Sequence, residues 1–251
     1  MIDTHCHLEM NKFDDERDEV LRKCGKNLKA VIVSSAEINT AEKVLQISEN
    51  NENIFSTLGL HPEPALKNSN QEIEEHIEFI RKNAEKIVGI GEVGLDYYLI
   101  KDKDKRERTK EIFERYVELA EELSMPLVIH ARDSINDVLD ILKPRDLRNV
   151  ILHCFSGSIE QLKEALERNY WISISTLVCK SSHHKKLTNQ TPLDNILLET
   201  DAPYLSPDSG TNYPWKIEQS ARKIAQIKGF NFEKVWKKTG ENAIEAFDLP
   251  I

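Results

Sequence analysis

The sequence predicts an α/β protein with a (β/α)8 TIM-barrel fold, formed as a single domain over residues 1–251. Eight short apolar runs alternate with longer charged runs, and the length matches the roughly 250 residues typical of this barrel. Polar residues also end several of the apolar runs, where barrel enzymes place their catalytic groups. An open doubly wound sheet has the same alternation, so the order of elements alone leaves both folds possible.

The eight apolar runs are predicted to be strands, because most of them are short and rich in Val and Ile. Such runs are typical of strands that are buried on both faces of a parallel sheet. In chain order they cover residues 1–4, 30–34, 54–60, 87–93, 127–130, 150–155, 171–175 and 196–199.

The segments between the strands are predicted to be helices, since most repeat apolar residues at intervals of three and four. They cover residues 13–24, 40–49, 71–84, 106–123, 133–142, 159–168 and 217–228, and a last helix at 232–247 has Gly240 as a possible break. Residues 181–191 form a poorer helical pattern. No composition change or Gly/Ser-rich linker divides the chain.

The composition excludes several classes of protein. The net charge of -9 excludes a basic protein that coats nucleic acid, although it permits a nucleic-acid enzyme with local charge complementarity. No apolar run approaches 18 residues, and the first residues lack the features of a signal peptide, so no membrane association is expected. The four cysteines form no CxxC pair, which predicts reduced thiols in a cytoplasmic protein.

Histidines and carboxylates at the strand ends predict a metal site. His5 and His7 are two residues apart, so a strand places both on one face, close enough to bind one ion. Four more strand ends contribute one such group each. Because an unpaired buried polar group is costly, chance placement at equivalent positions is improbable. The six predicted ligands are His5, His7, Glu92, His130, His153 and Asp201.

This ligand set predicts two divalent metal ions. Imidazole and carboxylate without thiolate suit Mg, Mn, Zn, Co or Ni. Six ligands exceed the need of one tetrahedral ion, so two ions that share a carboxylate and a hydroxide are expected. Glu92 is the predicted bridge, because it is the only carboxylate midway in the strand order. Asp201 is predicted to bind one ion and to orient the attacking hydroxide.

Six motifs resemble those of the TatD family of metal-dependent hydrolases. They are His5-x-His7, Leu58-Gly59-Leu60-His61-Pro62, Gly89-Ile90-Gly91-Glu92-Val93-Gly94-Leu95-Asp96-Tyr97, Pro126-Leu127-Val128-Ile129-His130-Ala131-Arg132-Asp133, His153-Cys154-Phe155-Ser156-Gly157 and Glu199-Thr200-Asp201-Ala202-Pro203-Tyr204-Leu205. The resemblance implies a TIM barrel of the metal-dependent hydrolase type, with the same six ligands and two divalent metals. It also implies a 3′–5′ exonuclease that hydrolyses DNA, with single-stranded or frayed ends as the expected partner.

One segment departs from the family pattern. The family usually has a basic Arg-Gly-x-x-Asn-Glu-Pro stretch, where this chain has Asp-Ser-Gly-Thr-Asn-Tyr-Pro at residues 208–214. The arginines are absent, and Tyr213 stands where Glu is usual. If this loop normally holds substrate, the departure affects substrate preference or affinity and leaves the metal chemistry unchanged.

Other residues near the strand ends have a functional and a structural interpretation. His61 is predicted to contact a substrate phosphate or to assist the leaving group, because it lies on the catalytic face. Arg132 either binds a phosphate or pairs with Asp133 or Asp96. The remaining expectations are a carboxylate behind a ligand histidine (Asp96), a buried hydrogen-bond partner (Asp3), solvated histidines (His76, His183, His184) and a base-stacking or loop-packing pair (Tyr213, Trp215).

Two further functions remain open from the sequence. An amidohydrolase-type ester hydrolase, such as a D-aminoacyl-tRNA deacylase, would use the same metals. Many such barrels bridge their metals with a modified lysine on the fourth strand, where this chain has Glu92. A non-enzymatic metal-binding scaffold is disfavoured by the complete ligand set. The sequence leaves open the metal identity, the choice among DNA, RNA and tRNA, the direction of cleavage, and whether the protein is a monomer or a small homo-oligomer.

Overall fold

Eight parallel strands form one sheet in the computed structural model, which describes residues 1–251. The strands follow each other around the sheet in chain order, and this confirms the predicted fold class. Their bounds are β1 Ile2–Cys6, β2 Ala30–Ser34, β3 Ile54–Leu58, β4 Gly89–Asp96, β5 Leu127–Arg132, β6 Val150–Leu152, β7 Trp171–Ile174 and β8 Ile196–Leu198.

The sheet closes between β1 and the residues that follow β8. The Asp201 amide donates to the His5 carbonyl at 2.9 Å, and the His7 amide donates to the Ala202 carbonyl at 2.7 Å. Cys6 and Ala202 form an isolated parallel bridge. The open doubly wound sheet is therefore excluded, and the last strand brings Asp201 beside the two histidines of the first.

Ten α-helices surround the barrel. They are α1 Arg17–Asn27, α2 Ala41–Glu49, α3 Pro62–Ala65, α4 Asn70–Lys82, α5 Lys103–Leu123, α6 Ile135–Leu142, α7 Ile159–Glu167, α8 Ser182–Gln190, α9 Ile217–Lys228 and α10 Phe232–Phe247. No helix of the structure combines the length and the apolar character needed to cross a bilayer.

Several element boundaries differ from the predictions. Glu92 and His130 lie inside β4 and β5 rather than at their ends, because both strands continue past the ligand. The helix predicted from residue 13 begins at Arg17, since a 3-10 turn at Asn11–Phe13 comes first. Residues 182–190 form a regular helix that the Ser181 side chain caps. Gly240 does not interrupt α10.

The apolar core leaves only one end of the barrel for a polar site. A cluster of 55 buried residues fills the space between sheet and helices. A second cluster of 11 joins residues near the beginnings of strands, such as Ile2 and Leu197, to Phe247 at the end of α10. The N-terminal end of the barrel is therefore closed by apolar packing, and the buried histidines lie at the other end.

Two strands carry a one-residue irregularity beside a predicted ligand. In β1, Asp3 pairs with Val31 but Cys6 pairs with Val33, so one extra residue lies between them. In β4, Ile90 pairs with Leu127 but Val93 pairs with Ile129. A bulge redirects the side chains near it, and these two bulges lie at His5 and Glu92.

Gly94 is required by the close approach of β4 to β5. Its φ of +143° is rare for other residues, and a Cβ atom there would lie 2.0 Å from the His130 carbonyl oxygen. The side chain that a larger residue would add therefore collides with the backbone that carries a predicted ligand. Gly94 keeps β4 in register beside His130.

His76 is buried, which contradicts its predicted exposure. It lies on the inner face of α4, and its Nδ1 is 2.7 Å from the Tyr116 hydroxyl of α5. The surrounding glutamates in the sequence occupy the outer face of the same helix. Burial lowers the pKa of His76 from 6.5 to about 4.

The buried His76 is expected to make stability depend on pH. Its contribution is full above pH 6.5, the ordinary value, and is lost as the pH falls toward its folded pKa of about 4. Between about pH 7.5 and about pH 5 the wild type should lose about 2 kcal/mol more unfolding free energy than His76→Gln. Urea unfolding at both pH values measures this difference. Equal losses in the two proteins would contradict it.

Candidate metal centre

The six predicted ligands meet around the carboxylate of Glu92. Its Oε2 lies 3.3 Å from His5 Nε2 and 3.5 Å from His7 Nε2. Its Oε1 lies 2.7 Å from His130 Nδ1 and 3.6 Å from His153 Nε2. Each oxygen therefore faces one pair of histidines, which is the arrangement expected of a bridging carboxylate.

Asp201 completes the group on the side of His5 and His7. Its Oδ1 lies 3.4 Å from His7 Nε2 and 3.9 Å from His5 Nε2. The Asp201 side chain is 16% exposed, whereas that of Glu92 is 4% exposed. Asp201 therefore borders the opening of the site, and Glu92 lies at its buried centre.

Three of the four histidines donate their outer N–H to an oxygen that can only accept. His7 Nδ1 is 3.0 Å from the Ser34 carbonyl, His153 Nδ1 is 3.0 Å from Glu199 Oε2, and His130 Nε2 is 3.1 Å from Asp96 Oδ2. In the neutral imidazoles the inner nitrogen then carries a lone pair that faces the cluster. Such outer partners are typical of metal-binding histidines, because they fix the tautomer.

The inner atoms of the cluster fit divalent cations. His5 Nε2 and His7 Nε2 face each other at 3.2 Å, and both are close to the carboxylates of Glu92 and Asp201. Buried acceptors in such proximity repel unless a proton or a cation lies between them. Two overlapping groups, His5–Glu92–His153 and His5–His7–Asp201, have ligand atoms within 4.8 Å of one another. Imidazole and carboxylate donors suit the divalent metals that the sequence predicted.

The buried carboxylates and histidines of the cluster shift each other's pKa values. Burial disfavours the charged form of His153, but the carboxylates of Glu199 and Glu92 outweigh it and raise its pKa to about 9. Burial likewise opposes ionisation of Glu92, yet His153 and the hydrogen-bonded histidines lower its pKa well below the usual value. Because metal ligands must be deprotonated, cation binding at these groups is expected to release protons.

Asp3, a buried residue of β1, is the hydrogen-bond partner that the sequence predicted. Asp3 accepts hydrogen bonds from the Thr200 amide at 2.9 Å and from the Thr200 hydroxyl at 2.5 Å. It also accepts from the His5 amide at 3.3 Å. Asp3 therefore fastens the backbone of β1 to the residues after β8 and contacts no inner atom of the cluster.

Two buried glutamates beside the cluster were not predicted from the sequence. Glu199 accepts from His153 and, at 2.5 Å, from the Ser173 hydroxyl. Glu9 lies with Oε1 3.5 Å from His7 Nδ1. Glu199 could have been predicted, because it is a carboxylate that directly follows an apolar strand. Glu9 follows His7 in a turn, where no sequence pattern distinguishes it.

A groove of about 1100 Å³ opens from the cluster to solvent. His61 and Arg132 line it, as predicted for residues of the catalytic face. Leu99 and Tyr204 contribute apolar surface, and Lys12 and Lys43 also line it. The groove therefore offers both cationic and apolar contacts next to the six ligands.

His61 is held as a neutral hydrogen-bond donor. The Glu63 amide donates to its Nδ1 at 3.3 Å, so the proton of the neutral ring is on Nε2. Burial, with the charge of His130, lowers the pKa of His61 to about 4. His61, Asp96 and His130 form a third close group, but an Nε2 that carries a proton is a poor metal ligand.

Arg132 makes no ion pair with Asp133 or Asp96, which contradicts one of its two predicted interpretations. No carboxylate lies within 4.0 Å of its guanidinium, and its Cζ instead lies 3.7 Å from the centre of the Tyr98 ring. Asp96 is hydrogen-bonded to His130 and to the Leu99 amide, so it is already satisfied. The phosphate interpretation of Arg132 stays a prediction.

The loop at residues 206–216 folds without the family's arginines. Lys180 donates to the carbonyls of Ser206 at 2.9 Å and Asp208 at 3.0 Å. Lys216 forms an ion pair with Asp208. Tyr213 and Trp215 stack on each other, with centroids 4.8 Å apart and planes at 6°. These lysines and rings stabilise the loop itself, which favours the packing interpretation of the aromatic pair.

The two histidines after β7 differ in burial. His183 is exposed as predicted, and its Nε2 is 3.1 Å from the Ser156 carbonyl. His184 is buried, in contrast to the prediction, because α8 turns it against the barrel, with Nδ1 2.9 Å from the Ser181 hydroxyl. Neither belongs to the metal cluster.

Comparison with known proteins places the chain in a family. The model of TatD-related DNases matches residues 2–248. The chain belongs to this family. An uncharacterised metal-dependent hydrolase of Methanocaldococcus jannaschii is 38% identical over 98% of this chain and 96% of its own length. Human deoxyribonuclease TATDN3 is 32% identical over 98% of this chain and 94% of its own.

A solved TatD homologue has the same architecture. The crystal structure of YjjV from Escherichia coli K12 matches this chain with a TM-score of 0.92 and 26% identity. The match covers 100% of this chain and 98% of that one. The chain is thus a metal-dependent hydrolase of the TatD family, with a TIM-barrel fold and candidate metal-binding groups at one end of the barrel.

Proposed function

We propose that this TatD-family protein is a divalent-metal-dependent deoxyribonuclease that cleaves phosphodiester bonds from an end of single-stranded DNA in the 3′–5′ direction. The observation that carries the proposal is the placement of Glu92, whose two oxygens face two separate pairs of histidines. Relatives that are named deoxyribonucleases, such as the human protein, support DNA as the substrate.

The ligands divide into two groups around Glu92. His5, His7 and Asp201 would hold one divalent cation with Glu92 Oε2, and His130 and His153 would hold the other with Oε1. Bound cations of this kind polarise a phosphoryl oxygen and increase the acidity of a water molecule. Mg, Mn, Zn, Co and Ni all suit this donor set.

The residues around the centre would bind and orient the substrate. Asp201 borders the opening and has a carboxylate oxygen without a partner in the cluster, so it accepts a proton from the attacking water. His61 donates its Nε2–H to a phosphate or leaving-group oxygen. Arg132 has N–H donors free to bind a phosphate. In-line attack on phosphorus then depends mainly on positioning by these groups.

Hydrolysis of end-labelled DNA tests the proposal. A single-stranded oligonucleotide with a 5′ label is incubated with protein supplied with Mg, Mn, Zn, Co or Ni. We expect a ladder that shortens from the 3′ end, together with released mononucleotides. No product with any of these metals would overturn the nuclease proposal, and release of D-amino acids from charged tRNA would then favour the ester-hydrolase alternative.

Glu199 is expected to control metal affinity through His153. Glu199→Gln removes the charge behind the imidazole, so the affinity for divalent metal should fall about 10- to 100-fold. Titration of the metal-free protein by calorimetry measures this change. Glu37→Gln is the matched control, because Glu37 is exposed and lines the same groove. Unchanged affinity in Glu199→Gln would contradict its role.

The remaining expectations are unchanged by the structure. The cytoplasmic location, the single-domain organisation and the monomeric or small oligomeric state stay predictions from the sequence. The four cysteines form no disulfide.

A further inference from the structure

Exposed apolar side chains concentrate at the catalytic end of the barrel. Five large hydrophobic residues are exposed in the whole chain, and Tyr98, Leu99 and Tyr204 follow β4 or β8 beside the cluster. Tyr98 is 51% exposed although it lies next to a buried strand. Its exposed ring makes no contribution to the apolar core, so core packing does not explain the contacts that the ring makes at this end of the barrel.

The Tyr98 ring supports the guanidinium of Arg132. Arg132 follows His130 by two residues at the end of β5, and it lines the groove that leads to the metal centre. Its Cζ is 3.7 Å from the ring centre, a distance at which the cation contacts the ring face. Because a guanidinium directs its N–H donors outward in its own plane, contact through the planar face leaves these donors free.

Arg132 lacks any other fixed partner. No carboxylate lies within 4.0 Å of it, and its side chain donates no hydrogen bond to the protein. An exposed arginine without such support samples many rotamers, and binding a ligand must then restrict them. A ring against one face reduces this entropic cost before the ligand arrives.

We propose that Tyr98 is a positioning residue that holds Arg132 in the orientation in which its N–H donors bind a substrate phosphate. This inference rests on the proposed function, because the phosphate belongs to the polynucleotide in the groove. Tyr98 acts through Arg132 and makes no essential contact with a nucleobase.

Lys101 is the other cation beside this ring. Its Nζ is 5.2 Å from the ring centre, and it donates to the Tyr97 carbonyl at 3.0 Å. Lys101 is thus tethered to the loop after β4 and does not line the groove. Lys101→Ala is therefore a matched control that removes a cation from the same ring and leaves the Arg132 contact in place.

A double-mutant cycle tests the proposal. Tyr98→Ala, Arg132→Ala and the double variant are compared with wild type for KM and kcat on a single-stranded oligonucleotide. Fluorescence anisotropy of a labelled oligothymidylate also gives the Kd of each metal-free protein. We expect KM and Kd to rise about tenfold or more in Arg132→Ala and about three- to fivefold in Tyr98→Ala, with little change in kcat.

The coupling between the two substitutions decides the result. If Tyr98 acts through Arg132, the double variant should match Arg132→Ala within about twofold. Tyr98→Phe should retain wild-type KM and Kd, since it keeps the ring, and Lys101→Ala should change neither by more than about twofold.

Three outcomes would overturn the proposal. Multiplicative losses in the double variant would mean that Tyr98 contacts the substrate itself, as a base-stacking ring does. A Tyr98→Ala variant with wild-type KM and Kd would show that Arg132 needs no support. A loss of affinity in Lys101→Ala as large as that in Arg132→Ala would show that Arg132 is not the specific phosphate contact. The anisotropy cycle still reports on positioning if no phosphodiester is cleaved, so failure of the proposed function is recognised separately.

Discussion

Replacement of Glu92 by Gln is expected to abolish nearly all hydrolysis of single-stranded DNA. Glu92 contacts all four histidines of the cluster, and its two oxygens face different pairs. A glutamine offers one oxygen and turns an NH2 donor toward the other pair. The centre also loses the negative charge that two divalent cations would share. We expect kcat/KM to fall by roughly 1000-fold or more, equivalent to about 4 kcal/mol of transition-state stabilisation.

Metal content distinguishes this effect from simple misfolding. Glu92→Gln should retain the circular dichroism spectrum of the wild type but bind fewer divalent ions per chain by elemental analysis. Glu37→Gln, the same change at an exposed residue of the groove, should keep both activity and metal. A folded Glu92→Gln protein with wild-type activity would show that this carboxylate is no bridge.

Replacement of Asp201 by Asn should reduce kcat with a smaller effect on KM. Asp201 lies at the opening of the centre, with one oxygen directed to His7 and His5. Asparagine keeps the size of the side chain but cannot accept a proton at neutral pH. Loss of a general base typically costs 10²- to 10⁴-fold in rate, so we expect a decrease of about this size in kcat.

Asp133→Asn provides the matched control for Asp201. Asp133 is exposed after β5 and, like Asp201, has a positive φ, which asparagine tolerates. This variant should differ from wild type by less than about twofold in kcat, because Asp133 has no contact with the cluster. Equal decreases of kcat in Asp201→Asn and Asp133→Asn would show that Asp201 has no specific role in catalysis.

The sequence brought the six predicted ligands to one place because a parallel barrel gathers the ends of its strands. His153 follows directly on β6 and Asp201 comes three residues after the end of β8, so their order in the chain was enough to bring them to one edge. Glu92 and His130 reach the same edge by a different local geometry, and their role as ligands stays a prediction. Each was expected to end a strand, but each lies inside one, and the bulge in β4 beside Glu92 contributes to its direction.

Contacts between distant surfaces could not be predicted from local patterns. His76 stands among glutamates in the sequence, yet its helical position turns it onto Tyr116, 40 residues away. The sequence could not show whether Arg132 pairs with Asp96, because the hydrogen bonds of Asp96 to His130 and to the Leu99 amide form only in the folded chain. Glu199 gained its role from Ser173 and His153, which only the closed barrel brings together.

Anomalous diffraction from crystals soaked in manganese measures the number and positions of the metals in a single experiment. We expect two peaks on either side of the Glu92 carboxylate, one beside His5, His7 and Asp201, and the other beside His130 and His153. The absence of any peak near Glu92, or strong peaks bound by other residues, would show that these six side chains do not form a metal centre.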